Sequence, residues 1–338
     1  MKTNNLTTDC KGCGGSLVYN PSSQSLLCQK CGGLTEINKD VNYERHSNTN
    51  LKINEEIQTK NCPNCGAILT HEELEVGKKC AYCNSDILLN FTTTPDAVIP
   101  FAFNKQKAIE YYNKHVKKRW FLPNNFKKNP KFSSMEGCYI PSFALNCKTH
   151  STYSGRLATT HSDSKGNTYT TYRNISGSID LDFDNTFIES SSKLTQSEIT
   201  TILPFKINEE NPAYKFDSGF IRGYSVENNN TTLAEVYNTH DTLIKSKIKS
   251  HILSRYHYDR VCSFNLDAEI FDITYSYILL PVYEINIKYK DKDYKTFLNG
   301  ETGKLGSNLP KSGWKIAGFI IMLVLIFFGV PLLIHLLQ

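Results

Sequence analysis

Eight of the eleven cysteines fall into four C-x2-C pairs, and the second four repeat the first at a constant offset of 52 residues. Cys10, Cys13, Cys28 and Cys31 map onto Cys62, Cys65, Cys80 and Cys83, and both sets have the interval C-x2-C-x14-C-x2-C. A C-x2-C pair lets two sulfurs reach one ion from a single tight turn. Two such turns joined by a hairpin complete a tetrahedron, the closed four-thiolate cage that zinc prefers. Glycines follow at Gly14-Gly15, Gly32-Gly33 and Gly66, where positive φ can aim backbone N–H groups at sulfur, and Pro63 pre-sets a turn. Leu17-Val18 and Ile68-Leu69 then read as ribbon strands. The expectation is two zinc ribbons with two structural zinc ions. Iron could occupy the same sulfurs. A disulfide framework fits poorly, because Met1–Asp9 is polar and offers no apolar leader segment.

Modules this small bury little apolar surface. Their folding energy is largely the metal's, on the order of 10–16 kcal/mol in comparable zinc peptides. A chelator is therefore expected to unfold residues 7–90 and leave the rest folded. Neither site should be catalytic, since a closed cage leaves no position for water or substrate. Of the remaining cysteines, Cys138, Cys147 and Cys262 read as buried small hydrophobes, with a Cys138–Cys147 bridge as the minor alternative.

The 338 residues suffice for two or three domains. The divisions expected are ribbon 1 over 7–37, a polar linker over 38–60, ribbon 2 over 61–90, an α+β body over 97–300, a juxtamembrane segment over 301–315 and a transmembrane helix over 316–337. The last rests on hydropathy: Ile316–Leu337 contains no charged residue, and sixteen of its residues are Leu, Ile, Phe or Val. About 20 apolar residues suffice for a helix to cross a bilayer. Trp314 and Lys315 sit where an interfacial anchor belongs, and Lys304, Lys311 and Lys315 precede the span. The positive-inside rule then places the body in the cytoplasm of a single-pass protein of the cell membrane, in keeping with reduced cysteines.

Within the body, Asn104–Phe121 has helical periodicity through Ala108, Ile109, Tyr112, Val116 and Trp120. Its other face carries Lys105, Lys107, Lys114, Lys117, Lys118 and Arg119. With Lys127, Lys128 and Lys131, and only Glu110 opposed, the segment 101–135 holds +8 in a chain whose net charge is +5. Such a face suits anionic membrane lipid, nucleic acid or plain solvation. From His150 the pattern turns to strands: Thr149–Thr160, Tyr169–Asn174, Ser178–Phe183, Arg260–Thr274, Tyr277–Tyr289 and Tyr294–Leu298, with a second amphipathic helix over Thr231–Tyr256. This predicts an α+β body of mostly antiparallel sheet.

Nucleotide-binding and hydrolase motifs are missing. Gly300-Glu301-Thr302-Gly303-Lys304 has the wrong glycine interval for a phosphate loop and continues into Leu305. No G-x-S-x-G, H-E-x-x-H or G-x-G-x-x-G occurs. The expectation is a protein that is not an enzyme.

Several segments in order carry a resemblance: Ile99-Pro100-Phe101, Arg119-Trp120-Phe121-Leu122-Pro123-Asn124, Met135-Glu136-Gly137-Cys138-Tyr139-Ile140-Pro141, Ser176-Gly177 with Phe183-Asp184-Asn185, Leu280-Pro281-Val282-Tyr283, and Asn299-Gly300-Glu301-Thr302-Gly303-Lys304 followed by Gly306, Pro310, Ser312 and Lys315. Together with the cysteines, they make the chain resemble bacterial membrane-anchored proteins with double zinc ribbons of the transcription-factor-IIB or primosomal type. Pro141-Ser142-Phe143 departs slightly from the family's pattern. The resemblance implies an adaptor or scaffold in envelope maintenance, with a flotillin-like or phage-shock-like protein partner. The alternative is a nucleic-acid-binding membrane protein that uses the ribbons and the basic 105–131 face.

Overall fold

The computed structural model describes residues 10–47, 75–79, 86–88, 94–129 and 132–329. Three short antiparallel strands open the chain: β1 (Leu17–Asn20), β2 (Ser25–Cys28) and β3 (Leu34–Thr35), in that spatial order. Next come β4 (His46–Ser47), β5 (Glu75–Lys79), β6 (Asp86–Leu88) and β7 (Ala97–Val98). Helix α1 (Lys105–Lys118) starts at Asn104, whose side chain accepts the Lys107 amide, and a short α2 (Asn124–Lys128) follows. Two very long strands, β8 (Ser134–Ser162) and β9 (Thr168–Glu189), form a hairpin through the turn at Asp163–Asn167, and α3 (Gln196–Ile202) comes after them. Strands β10 (Tyr214–Lys215) and β11 (Ser225–Glu227) precede α4 (Leu233–Leu253), which opens on a capping box between Thr232 and Glu235. The 30-residue β12 (Arg260–Tyr289), β13 (Lys292–Asn299) and α5 (Gly313–Val324) complete the order.

Ten of these strands form one sheet. Its spine is β9–β8–β12, antiparallel throughout, with Thr152 opposite both Ser178 and Asp267. The sheet is mixed, because β7 runs parallel to β12 and β11 runs parallel to β8. The expected fold class therefore needs correction: the molecule is mostly sheet, and its helices are attachments to one large mixed sheet rather than equal partners. Arg260–Thr274 and Tyr277–Tyr289 are one strand, as are Tyr169–Asn174 and Ser178–Phe183. Pairing with β8 runs unbroken through the residues between them, Tyr275-Ser276 in β12 and Ile175–Gly177 in β9. The register of β12 shifts instead between Phe271 and Thr274, around Asp272 at φ +51°.

An aromatic core fills one end of the sheet. Phe101 stacks on Tyr224 at 4.2 Å and meets Tyr283 and Tyr139 edge-on at 4.8 and 5.1 Å. Ala108, Tyr112 and Val116 of α1 bury into the same cluster. At the far end, Ile244, Ile248 and Ile252 of α4 cover one face of the β9–β8–β12 arm.

A second correction concerns the C-terminus. No described helix is long and apolar enough to cross a membrane. Helix α5 has 12 residues, about 18 Å at 1.5 Å each, and gives way to a π-helical turn over Leu325–Gly329. Residues 330–338 lie outside the described residues. The expected single transmembrane helix over 316–337, and the single-pass cell-membrane location argued from it, fall with this finding. Lys315, expected at an interfacial anchor position, is engaged within the protein. Its ammonium donates to the carbonyls of Trp120 and Leu122 at 3.0 and 2.8 Å and to Asn124 Oδ1 at 2.7 Å, fastening α5 to the α1–α2 turn.

Candidate metal centre

Cys10, Cys13, Cys28 and Cys31 come together on two turns of the same construction. In the first, the Cys10 amide donates to Gly15 O at 2.7 Å and the Gly14 amide returns to Cys10 O at 2.8 Å. In the second, Cys28 N bonds Gly33 O at 2.9 Å and Gly32 N bonds Cys28 O at 3.0 Å. Gly14 at φ +65° and Gly32 at φ +72° occupy equivalent left-handed positions, which glycine adopts without steric cost. The β1–β2 hairpin sets the two turns side by side, with Leu17 opposite Cys28.

The four sulfurs lie within 4.8 Å of one another. Cys10 and Cys31 are 3.7 Å apart, and Cys13 and Cys28 are 3.4 Å apart. Zn–S bonds of about 2.3 Å in a tetrahedron give S···S edges of about 3.8 Å, so the cluster is compatible with a zinc site. The acid–base chemistry agrees. The Cys31 amide, 3.5 Å from the Cys28 sulfur, pulls the Cys28 thiol down to about 6. Cys13 is pushed up to about 12: the Gly15 amide lowers it, and hydrogen bonds with Cys31 and Cys28 more than offset that.

The ribbon does not stand apart from the body. Tyr19, 4% exposed, projects from β1 into the aromatic core, 5.6 Å from the Phe220 ring and 6.3 Å from Tyr224. Its hydroxyl donates to Gln24 Oε1 at 2.7 Å, and the Gln24 amide donates to Phe101 O at 2.9 Å. The Tyr19 amide bonds the Arg222 carbonyl at 3.0 Å. Cys10, Leu17, Leu26 and Cys28 belong to one buried cluster with Tyr139, Phe220 and Tyr283.

The second cysteine set, Cys62, Cys65, Cys80 and Cys83, lies outside the described residues, as does Lys131. Of the basic face, Lys105, Lys107, Lys114, Lys117, Lys118 and Lys128 are exposed and Lys127 is partly buried. Arg119 is withdrawn from it, because its guanidinium donates to Leu305 O at 2.8 Å. Cys138 and Cys147 are buried free thiols, which excludes a bridge between them, and Cys262 is exposed rather than buried.

A second ligand-like group, Glu44, His46 and Asp96, carries no local spacing signal. Asp96 is already engaged: Oδ1 holds His46 Nε2 at 2.9 Å and Oδ2 accepts the Tyr277 amide at 2.7 Å. The group fastens β4 and the start of β7 to β12.

Fold and site define a mostly sheet protein with a four-cysteine ribbon built into its aromatic core. No protein-family model matches the chain. Among curated proteins, it is 25% identical over 324 residues to a Bacillus subtilis (strain 168) chain described as uncharacterized protein YdjG, and the match covers 93% of each. No solved structure matches.

Proposed function

We propose that the protein is a non-enzymatic adaptor whose sheet body is stapled by structural zinc and serves as a scaffold for a protein partner. The observation that carries this reading is the closed four-sulfur cluster whose ribbon is buried against the body. A cage of this kind holds an ion without offering it to a substrate, so its contribution is rigidity. The chain would hold two zinc ions, the second on Cys62, Cys65, Cys80 and Cys83. When bound, each ion supplies charge neutralisation for four thiolates and fixes two turns. The chain's own amides, such as that of Cys31, orient the sulfurs.

The test is metal analysis of purified full-length protein beside crosslinking in cells. Two zinc per chain are expected, one remaining in Cys28→Ser/Cys31→Ser and one in Cys62→Ser/Cys65→Ser. A crosslinked partner should be lost in the second variant, which leaves the docked ribbon intact. Metal-free protein, or iron in place of zinc, overturns the zinc assignment. A partner set identical in both variants overturns the ribbon's presenting role. Nucleic-acid binding through the basic face is the weaker reading, because the one guanidinium expected there is spent on the Leu305 carbonyl.

A further inference from the structure

The β9–β8–β12 arm has two unlike faces. One is covered by α4. The other is open among the described residues and is built from alternate positions of three strands in register. Asp182 faces Lys148; Asp180 and Glu269 flank His150; Ser178 and Asp267 flank Thr152; Ser176 and Asn265 flank Ser154. All of these are exposed. Lys148 is already bound by Asp272 at 3.0 Å and His150 by Asp180 at 2.6 Å. Five carboxylates thus stand against one ammonium, beside exposed serine, threonine and asparagine side chains.

The opposite charge sits at the other end of the same sheet. Helix α1 buries Ala108, Tyr112 and Val116. At 100° per residue, Lys107, Lys114, Lys117 and Lys118 fall on the stripe directly opposite. Glu110 is the stripe's one acid and is paired with Lys107 at 2.7 Å. The helix packs in the cluster that contains Met135 and Tyr139. His150 lies eleven to fifteen residues further along β8, roughly 36–50 Å away at about 3.3 Å per residue. One molecule therefore cannot close this contact on itself. The spacings match: Lys114 and Lys118 are one helical turn apart, about 6 Å, and Asp180 and Asp182 are two strand residues apart, about 6.6 Å.

We infer that the open acidic face of the arm receives helix α1 of a second copy, so that molecules associate head to tail. Such a contact is heterologous and builds rings or open chains rather than a closed pair. The inference is independent of the metal reading, since neither surface includes a cysteine ligand. It gives a scaffold a means of multiplying its partner sites.

Sedimentation velocity on the metal-loaded full chain tests it, across a concentration series at about 50 mM and 500 mM salt. The expected result is concentration-dependent association at low salt that weakens at least tenfold at high salt, where exposed charges are screened. Lys114→Glu/Lys118→Glu and Asp180→Lys/Asp182→Lys should each abolish it, and the two pairs combined should restore it. All four side chains are exposed, and circular dichroism checks that each variant stays folded. A monomer at every concentration overturns the inference. So does association that ignores salt and both reversals, which assigns it to the exposed apolar residues of α5. Loss in each variant without rescue in the combination also overturns it and points to another occupant of the basic stripe, nucleic acid included.

Discussion

The Tyr19 hydroxyl, from the four-cysteine ribbon, and the Phe101 carbonyl, from the sheet body, stand 3.3 Å apart in the buried core, with Gln24 bridging both. This joins the stability of the cysteine site to that of the body. Tyr19→Ala removes an aromatic ring from a packed cluster, a loss of about 3–5 kcal/mol. Calorimetry should record a single transition shifted down as a whole. Chelation should act likewise, lowering the melting temperature of the body instead of melting residues 7–90 alone. A body transition indifferent to chelator would separate the two units.

The buried side chain of Asn299 holds together the turn that in sequence resembles a failed phosphate loop. Its amide donates to Ile202 O at 3.0 Å and Pro204 O at 3.1 Å, while its carbonyl oxygen accepts the Glu301 and Thr302 amides at 2.8 and 2.9 Å. Asn299→Ala strands four backbone groups and should cost about 3 kcal/mol or more. Asn299→Asp keeps the two accepted bonds but sets a buried carboxylate oxygen against the two carbonyls, so at neutral pH it should cost at least as much as Asn299→Ala. Urea denaturation of both variants checks the order.

What could be read from the sequence follows the range of the interactions. The Cys10–Cys31 cluster was legible because ligand spacing is local. Helices α1 and α4 were legible because their apolar stripes and caps lie within a few residues. Thr232 and Glu235 mark the start of α4 three residues apart. Strand β12 reads as two in the sequence because the pattern lapses at Tyr275 and Ser276, whereas its pairing with β8 runs through both residues without a shift. Strands β7 and β11 are two and three residues long, too short to show a period. The docking of the ribbon was invisible because Tyr19 and Phe101 are 82 residues apart. The C-terminal segment misled because hydropathy counts apolar residues and not the length of the helix they form: α5 passes into a π-helical turn after 12 residues.

Glu189 should leave a signature in the pH dependence of stability. Burial pushes its carboxyl up to about 7, with the Ser191 amide opposing and Glu227 adding to the rise. A carboxyl raised in the folded state favours folding while protonated. Its contribution is whole below about 4.5 and is lost as pH rises through 7. The group is only partly buried, so solvent screening reduces the effect to about 1–2 kcal/mol. Glu189→Gln should match the wild type near pH 5 and exceed its stability near pH 8. This limb is the cleaner one to measure, because on the acid side protonation of the four cysteines would release the proposed zinc as well. Equal pH dependence in the two proteins would remove Glu189 from the account.

Lys315 ties α5 to the body through a single ammonium with three acceptors. Next to it, Phe319 packs edge-on against Trp120 at 5.9 Å and Phe121 at 5.5 Å. Charge-assisted bonds of this kind contribute about 1.5–3 kcal/mol, and the rest of α5 is largely exposed. Lys315→Met retains the aliphatic stem and deletes the bonds, so it isolates their share. The helix should detach while the sheet stays folded. Two tryptophans occur in the chain, and Trp314 is already 90% exposed. A red shift in emission would therefore report Trp120 losing Phe319. Hydrogen exchange should quicken over Gly313–Val324 and remain unchanged in β12. An unaltered emission maximum with unaltered exchange would mean that the aromatic contacts alone hold the helix.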